Sequence, residues 1–181
     1  MEYPKPSLTA DMCLYDREGD ELFVLLIRRG RPPYQDWWAL PGGFVEQFET
    51  VEDAAARELK EETGVANSDY ELVGVFSEAG RDPRGWTVTA AFRARVDRFQ
   101  TGAHGMDDAA EARWFRLNFQ KEGGALLLSL TSEQEHIHAS LSGPYLSANR
   151  VRYAAVESCG IAFDHAKILA AALYPEKEET L

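Results

Sequence analysis

The chain has 181 residues, 45% of them hydrophobic, which suffices for one substantial core, and we expect a single domain over residues 1–181. A formal net charge of −11 argues against a protein that binds nucleic acid, because contact with phosphate backbones normally needs clustered lysine and arginine side chains. No apolar run approaches the roughly 20 residues needed to cross a bilayer, and the first residues lack an export signal, so we expect a cytoplasmic protein without a membrane span.

The first predicted elements are two strands that form a hairpin. They cover residues 11–15 and 22–27, which are apolar runs of strand length, and the segment between them is rich in glycine and aspartate, which favour turns. A basic, proline-containing loop follows at residues 28–38. Loops of this kind often carry function, so its arginines are candidates for contact with a ligand.

A helix is predicted to begin after Thr50 and to end at Gly64. Thr50 can cap the first turn with Asp53 three residues on, and apolar side chains then recur at helical spacing. Glycine commonly ends helices because it adopts the left-handed conformation without steric cost. The Pro-Gly-Gly sequence at residues 41–43 predicts a turn before the helix, whose missing side chains let a backbone approach a ligand closely.

The remaining chain is predicted to add strands and a closing helix. The strands are residues 70–76, 86–96, 112–115, 125–130 and 136–141, and the helix is residues 164–173. We expect residues 119–158 to form an insertion or an extra hairpin. Asp164 and His165 lie at the start of the closing helix, where a capping role is expected. The charged tail from Pro175 onward is expected to fray.

Acidic residues are concentrated just before and within the first helix. Seven of them fall in one short segment, namely Glu46, Glu49, Glu52, Asp53, Glu58, Glu61 and Glu62. Their mutual repulsion would be costly unless some of them hold cations, so the segment indicates a metal site. A solvated helix face is the ordinary explanation of an acidic run, and the spacing of the acids has to decide between the two.

The spacing places three of these acids on one side of the helix. Glu58 and Glu62 are i and i+4, while Glu58 and Glu61 are i and i+3, so their carboxylates converge on one patch. A hard divalent cation would neutralise such a cluster, and carboxylate oxygens are ligands that Mg²⁺ prefers while it also takes substrate phosphates. Arg57 can pair with Glu49 and hold the preceding loop against the helix. The pattern therefore predicts a site for phosphate chemistry.

Residues 43–65 resemble the Nudix signature at every specified position. The resemblance implies an α/β fold, a Nudix-type α/β/α sandwich with a mixed β-sheet, and a hydrolase that uses Mg²⁺, with Mn²⁺ able to substitute. The residues implied are Gly43, Glu58, Glu61 and Glu62 for the metal, and Arg57 and Glu49 for an orienting pair.

The predicted reaction is hydrolysis of the pyrophosphate bond in a nucleoside diphosphate derivative. A diphosphate ester needs its charge neutralised, a water activated and a leaving phosphate stabilised, and bound magnesium can supply all three. A carboxylate near the metal should orient or deprotonate the water. In the family this base does not always lie in the signature, and Glu111, followed by Glu78, is the candidate outside it. A solvated surface acid is the alternative for each.

Further segments resemble the ADP-ribose pyrophosphatases within the Nudix family. They are residues 38–46, 81–85, 112–115 and 163–166. By this resemblance the substrate would be ADP-ribose, and the products AMP and ribose 5-phosphate. The candidates for gripping the phosphates, since a guanidinium offers a fork of donors, are Arg28, Arg29, Arg81 and Arg84. The candidates for stacking on adenine are Trp37, Tyr34 and Phe44. Surface charge and core packing are the alternatives for these two sets.

Two other functions remain open. A ligand-sensing transcription factor could bind ADP-ribose through the same domain without efficient turnover, although the acidic C-terminal part argues against a DNA reader. A nucleoside triphosphate pyrophosphohydrolase would use the same signature, because the surrounding loops choose the substrate. We expect a small-molecule nucleotide as the binding partner. A homodimer is also compatible with the sequence, since many relatives are dimers.

Overall fold

The computed structural model describes residues 3–66, 69–102, 109–143, 145–147, 150–153 and 155–178. Within these ranges the helices are α1 (Val51–Thr63) and α2 (His165–Glu178). The strands are β1 (Ser7–Glu18), β2 (Glu21–Arg29), β3 (Trp38–Ala39), β4 (Gly42–Phe44), β5 (Glu71–Phe76), β6 (Thr87–Arg95), β7 (Ala109–Glu122), β8 (Ala125–Thr131), β9 (His136–Ser142), β10 (Tyr145–Ser147), β11 (Arg150–Arg152) and β12 (Ala155–Cys159). Neither of these helices is long and apolar enough to cross a membrane.

A mixed β-sheet forms the centre of the fold. Its strands follow the order β12-β9-β8-β7-β2-β1-β6-β5, with β3 paired to β2 and β4 paired to β1. β1 lies antiparallel to β2, as the predicted hairpin requires, but parallel to β6, so the sheet contains both kinds of pairing. Strands β10 and β11 form a separate pair. The predicted α/β fold with a mixed sheet is confirmed.

The two helices pack on opposite faces of the sheet, because successive side chains of a strand point to opposite sides. Ala10, Met12 and Leu14 of β1 are fully buried in a cluster that includes Leu59 of α1. Cys13, from the same strand, joins a second cluster that includes the apolar side of α2. Burial of each leucine-sized side chain contributes roughly 1.5–3 kcal/mol. Each face therefore has its own core, and the arrangement is the predicted sandwich.

The expected extra hairpin is present and extends the main sheet. β8 and β9 pair antiparallel, with Leu128 opposite Ala139, and β8 also pairs with β7. Leu126, Leu128 and Leu130 alternate along β8 and are buried in the same cluster as α2. The hairpin thus provides part of the surface on which α2 packs.

Several elements are longer than predicted, among them β1, β7 and α2. β7 extends beyond the predicted strand at both ends, and Phe115, Leu117 and Phe119 are all buried in the cluster that includes α2. This continued alternation of buried residues explains why the strand does not stop at Phe115. The helix α2 continues through Pro175 to Glu178, so this part of the expected frayed tail is helical.

The Pro-Gly-Gly segment leads into strand β4 and is more than a turn. Gly42 lies opposite Asp11 of β1, and Gly43 lies opposite Ala10. A Cβ atom on Gly42 would collide with the backbone of β1, and a Cβ atom on Gly43 would collide with the carboxylate of Glu58 on α1. The two glycines therefore let the sheet and the helix approach each other at the point where the acidic residues lie.

Candidate active site

Helix α1 begins and ends where the sequence predicts. The Thr50 hydroxyl oxygen accepts a hydrogen bond from the Asp53 backbone N–H at 3.1 Å, which caps the first turn. Gly64 has a φ of 74°, in the left-handed region, and its N–H donates to the Lys60 carbonyl at 2.9 Å. Because both ends are fixed, the glutamates on the helix keep a defined position against β4.

Arg57 ties the loop before the helix to the carboxylates on it. Its Nε and Nη2 atoms donate to the two oxygens of Glu49 at 2.8 and 3.0 Å, and Nη2 also donates to the Phe44 carbonyl at 3.1 Å. Its Nη1 atom donates to Glu58 at 2.8 Å and to Glu61 at 3.1 Å, which draws these two carboxylates together. The hydrogen bonds from Arg57 lower the pKa of the Glu49 carboxyl to about 2.

Glu62 faces strand β4 from the same side of the helix. Its Oε2 atom accepts a hydrogen bond from the Gly42 N–H at 2.9 Å. Burial, together with the nearby charges of Glu58 and Asp11, raises the pKa of the Glu62 carboxyl to about 8. Burial also raises the pKa of Glu58, in spite of the neighbouring Arg57. Both carboxyls are therefore protonated more easily than a free glutamate.

The donor atoms of this cluster fit a hard divalent cation. They are oxygens, from three carboxylates and from the backbone of β4, and such donors are what Mg²⁺ and Mn²⁺ prefer. The raised pKa of Glu62 agrees with this, since an added positive charge would stabilise its ionised form. Within the described ranges, no three aspartate, glutamate, histidine or cysteine side chains are already arranged so that they could hold a metal ion. The Arg57 side chain and the Gly42 N–H hold the carboxylates instead.

A cavity of about 50 Å³ lies beside β4. Asp11 and His165 are buried parts of its wall, whereas Arg29, Arg84 and Phe163 are partly exposed. Gly42 and Gly43 also line it, so the cavity adjoins the strand that Glu58 and Glu62 face. Cationic and aromatic side chains therefore meet close to the carboxylates of α1.

Arg81 makes a buried, bidentate ion pair with Asp164. Its Nη2 atom donates to Asp164 Oδ1 at 2.7 Å and its Nε atom donates to Oδ2 at 3.1 Å. The Nη2 atom also lies 4.0 Å from Asp11. Asp164 directly precedes α2, as predicted for its cap, and its carbonyl accepts a hydrogen bond from the Lys167 N–H at 2.8 Å. Its side chain holds the loop 77–86 against the start of the helix. The pair occupies two of the donors with which Arg81 could grip a phosphate.

His165 is buried beneath the cavity, and the expectation of a capping role is wrong for it. Its Nδ1 atom accepts a hydrogen bond from the Leu40 N–H at 2.9 Å, so the neutral ring carries its proton on Nε2, which lies 3.7 Å from Asp11. Burial lowers the pKa of His165 to about 3. Asp11 in turn accepts a hydrogen bond from the Thr89 hydroxyl at 2.6 Å. A polar network thus joins α2 to β1 and β6.

Arg84 and Arg29 bring positive charge to the exposed part of the cavity. Arg84 pairs with Asp82, with its Nη2 atom 2.7 Å from Oδ2, and its guanidinium carbon lies 4.8 Å from the centre of the Phe44 ring. The same carbon lies 5.2 Å from the centre of the Phe163 ring, and the guanidinium carbon of Arg29 lies 4.8 Å from that ring. Phe163 is the residue at the centre of these contacts, and the sequence motifs did not single out its side chain.

Arg28 and Trp37 do not line the cavity. The Nε atom of Arg28 donates to the Asp36 carbonyl at 3.3 Å, within its own loop. Trp37 packs on Tyr34 with ring centres 5.3 Å apart, and Tyr34 contacts Phe163 at 4.9 Å. Trp37 therefore contacts Phe163 of the cavity wall only indirectly, through Tyr34.

Glu111 is not brought together with the carboxylates of α1. It accepts a hydrogen bond from Arg113 of the same strand at 2.8 Å. Its neighbours Ala112 and Trp114 pack against the cluster that includes α1, so strand alternation directs the Glu111 side chain to the other face. Glu78 is paired with a lysine of α2.

A larger depression of about 490 Å³ lies on the open face of β7, β8, β9 and β12. His138 and Cys159 lie opposite each other there, on neighbouring strands. None of the arginines or α1 carboxylates described above lines this depression. The smaller cavity beside β4 is therefore the better candidate for phosphate chemistry.

The comparisons with known proteins identify a family that the chain matches. A family model described as NUDIX domain matches residues 5–125. An ADP-ribose pyrophosphatase of Methanocaldococcus jannaschii is 47% identical over 95 residues, which cover 52% of this chain and 55% of that protein. An ADPR responsive transcriptional repressor of Acinetobacter baylyi is 36% identical over 118 residues, which cover 64% of this chain and 47% of the repressor. The chain thus spans about half the length of the curated relatives it matches.

Solved structures extend the similarity to the C-terminal part. A MutT/nudix family protein from Enterococcus faecalis superimposes with a TM-score of 0.77 and 38% sequence identity. The match covers 98% of this chain and 64% of that one. The strands and helix beyond residue 125 therefore also have counterparts in a solved structure.

Proposed function

The chain belongs to the NUDIX domain family, and on that premise we propose that it is a Mg²⁺-dependent hydrolase that splits ADP-ribose into AMP and ribose 5-phosphate. The observation that carries this proposal is a junction at the two glycines of β4. There the carboxylate-bearing side of α1 meets a cavity lined by cationic and aromatic side chains. The 47% identity to a protein named ADP-ribose pyrophosphatase supports the choice of substrate.

Glu58, Glu61 and Glu62, with the Gly43 carbonyl, would hold Mg²⁺, for which Mn²⁺ can substitute. Once bound, the cation would neutralise phosphate charge and make water a stronger nucleophile. Arg57 keeps the carboxylates of α1 in register with β4 by its hydrogen bonds to the loop and to the helix. Its bidentate pair with Glu49 prevents the guanidinium from swinging away.

Arg29 and Arg84 would bind the non-bridging oxygens of the diphosphate, because their side chains are partly exposed at the cavity and a guanidinium matches a phosphate. Arg81 would position the loop that carries Arg84, since its own guanidinium is paired with Asp164. Arg28 would support the loop at 28–38.

A carboxylate also has to take the proton of the attacking water. Glu111 is poorly placed to take this proton, because its side chain is paired with Arg113 on the opposite face of the sheet. A carboxylate of α1 is better placed, since it would lie next to the cation and the water together. Glu111 is the second choice.

The test is a substrate panel on the purified full chain in Mg²⁺, with products separated by chromatography. AMP and ribose 5-phosphate from ADP-ribose would support the proposal. A nucleoside monophosphate and pyrophosphate from a nucleoside triphosphate, with ADP-ribose left intact, would assign the enzyme to the other substrate class.

A second candidate is an ADP-ribose sensor that binds without efficient turnover. It is favoured by the 36% identity to a protein named as an ADPR responsive transcriptional repressor. Intact glutamates at all three metal positions of α1 favour catalysis instead. Submicromolar binding of ADP-ribose without product formation in Mg²⁺ or Mn²⁺ would identify a sensor.

A further inference from the structure

Phe163 is held in an unusual backbone conformation at the edge of the cavity. Its φ is 54°, in a region that side chains other than glycine rarely adopt. Both neighbours are fixed: the Ala162 N–H donates to the Trp38 carbonyl at 2.8 Å, and Asp164 is in the buried pair with Arg81. Such strain persists only where the surroundings enforce it, and it is common at ligand clamps.

The ring of Phe163 is held from several sides. Tyr34 meets it edge-on with ring centres 4.9 Å apart, and His165 lies with its ring centre 5.3 Å away. The Arg29 guanidinium lies over the ring as well. The ring is only partly buried, so an aromatic surface in a fixed position is presented at the cavity.

A second ring, that of Phe44, lies near Arg84 but outside the cavity lining. Phe44 belongs to β4, its side chain is 45% exposed, and its carbonyl accepts a hydrogen bond from Arg57. The guanidinium of Arg84 bridges the two rings, at 4.8 Å from Phe44 and 5.2 Å from Phe163. Stacked aromatic groups have similar separations, so a flat cation occupies a place that would suit a flat base.

In this arrangement the cavity is too small for a nucleotide. It measures about 50 Å³, whereas ligand pockets are commonly on the order of 300–1,000 Å³. Arg84 is the most exposed charged side chain of its wall, at 38%, and its displacement would exchange its ion pair with Asp82 for one with the phosphates. A substrate could therefore enlarge the cavity by displacing this one side chain.

We propose that Phe44 and Phe163 form a clamp for the base of a nucleotide, and that the Arg84 guanidinium fills this clamp until the base displaces it toward the phosphates. The inference rests on the proposed function in that the base belongs to the nucleotide substrate. It assigns Phe163 as a specificity-determining residue and gives Arg84 two positions, one between the rings and one on the diphosphate.

The first test is calorimetric binding of AMP and of inorganic pyrophosphate, with Mg²⁺, to the full chain and to Phe163→Leu. We expect about tenfold weaker binding of AMP, as is typical for the loss of one stacked base, and binding of pyrophosphate within twofold of the parent. Phe99→Leu, which removes an exposed ring at Arg98, is the matched control and should change neither value. If Phe163→Leu does not fold, Phe44→Leu makes the same test on a more exposed ring.

The second test uses Arg84→Ala and separates the two positions of the arginine. The variant should bind adenosine several-fold more tightly, because the clamp is empty, and pyrophosphate several-fold more weakly. Equal losses of AMP and pyrophosphate binding in Phe163→Leu, or weaker adenosine binding in Arg84→Ala, would overturn the clamp. If Phe163→Leu weakens the binding of AMP but not of pyrophosphate, and the parent does not hydrolyse ADP-ribose, the clamp would be upheld and the proposed activity refuted.

Discussion

The α1 segment and the cavity beside it are built in contrasting ways. In the segment from Gly43 to Gly64, the charged groups contact one another over short sequence distances and remain partly exposed. In the cavity wall, buried polar groups come from β1, β6, the loop 77–86 and the start of α2. Exposed ion pairs contribute little to stability, whereas a buried charge without its partner is costly. We therefore expect substitutions in α1 to affect activity and substitutions in the wall to affect folding.

The largest effect is expected for Asp164→Asn, in the wall. It leaves the buried Arg81 guanidinium without its carboxylate partner, and the free energy of unfolding should fall by about 3 kcal/mol in urea denaturation. Glu71→Gln is the matched control, because it makes the same chemical change in an exposed pair with Arg93 and should cost less than about 0.5 kcal/mol. Similar losses in the two variants would remove the contrast between the regions.

The next effect is expected for Glu61→Gln and Glu62→Gln, on α1. Each should lower kcat by at least about two orders of magnitude, roughly 2.7 kcal/mol of transition-state stabilisation, while the protein stays folded. Glu52→Gln changes an exposed acid in the first turn of the same helix and should keep kcat within twofold. Activity within threefold of the parent in both Glu61→Gln and Glu62→Gln would place the metal site elsewhere.

A third effect concerns acid stability and depends on His165. Because burial holds its folded pKa at about 3, well below the ordinary value of 6.5, its contribution to stability is complete above pH 6.5 and is lost as the pH falls from there toward 3. The raised pKa of Glu62 makes stability change with pH in the opposite direction. The effect of His165 is therefore measured by comparing the parent with a variant that lacks this histidine.

His165→Asn keeps a side-chain acceptor for the Leu40 N–H and does not titrate in this range. Between pH 7.5 and 5.5, the parent should lose about 1.4 kcal/mol of unfolding free energy relative to this variant. Urea denaturation at the two pH values measures the difference. Parallel stability curves for the two proteins would show that folding does not lower the pKa of His165.

The smallest effect is expected at the helix cap, which is local and exposed. Thr50→Ala removes the hydrogen bond to the Asp53 N–H and should cost about 1 kcal/mol of unfolding free energy. Thr50→Ser keeps the hydroxyl and should stay within about 0.3 kcal/mol of the parent. A loss in Thr50→Ala as large as that in Asp164→Asn would mean that the two regions do not differ in the way described.

The same contrast explains what the sequence could predict. Helix α1, its cap at Thr50 and its end at Gly64 were predictable, because each depends on residues within one or two turns. The hairpin of β1 and β2 was predictable from apolar runs of strand length and from the turn residues between them. The continuation of β7 past Phe115 was missed, because its buried alternation is completed by α2, far along the chain.

The cavity could be predicted only in part. Arg84 and Phe44 could be proposed from their types, but contacts such as the bond from Thr89 to Asp11 join residues 78 positions apart. The aspartate between Ala10 and Met12, two apolar residues of β1, was the signal that could have drawn attention to Asp11. Phe163 falls in the segment 163–166 that resembles the ADP-ribose pyrophosphatases, but an aromatic residue before a helix is ordinarily part of a core, and its positive φ is visible only in the folded chain.

The contact between β4 and α1 depends on Gly43, which has no side chain to separate the sheet from the Glu58 carboxylate. In the hydrolase proposed above, new substrates would be acquired through changes in the cavity wall, to which the loop 77–86 contributes Arg81, Asp82 and Arg84. The part that breaks the bond would be inherited unaltered, because a single added methyl group at Gly43 would disturb it.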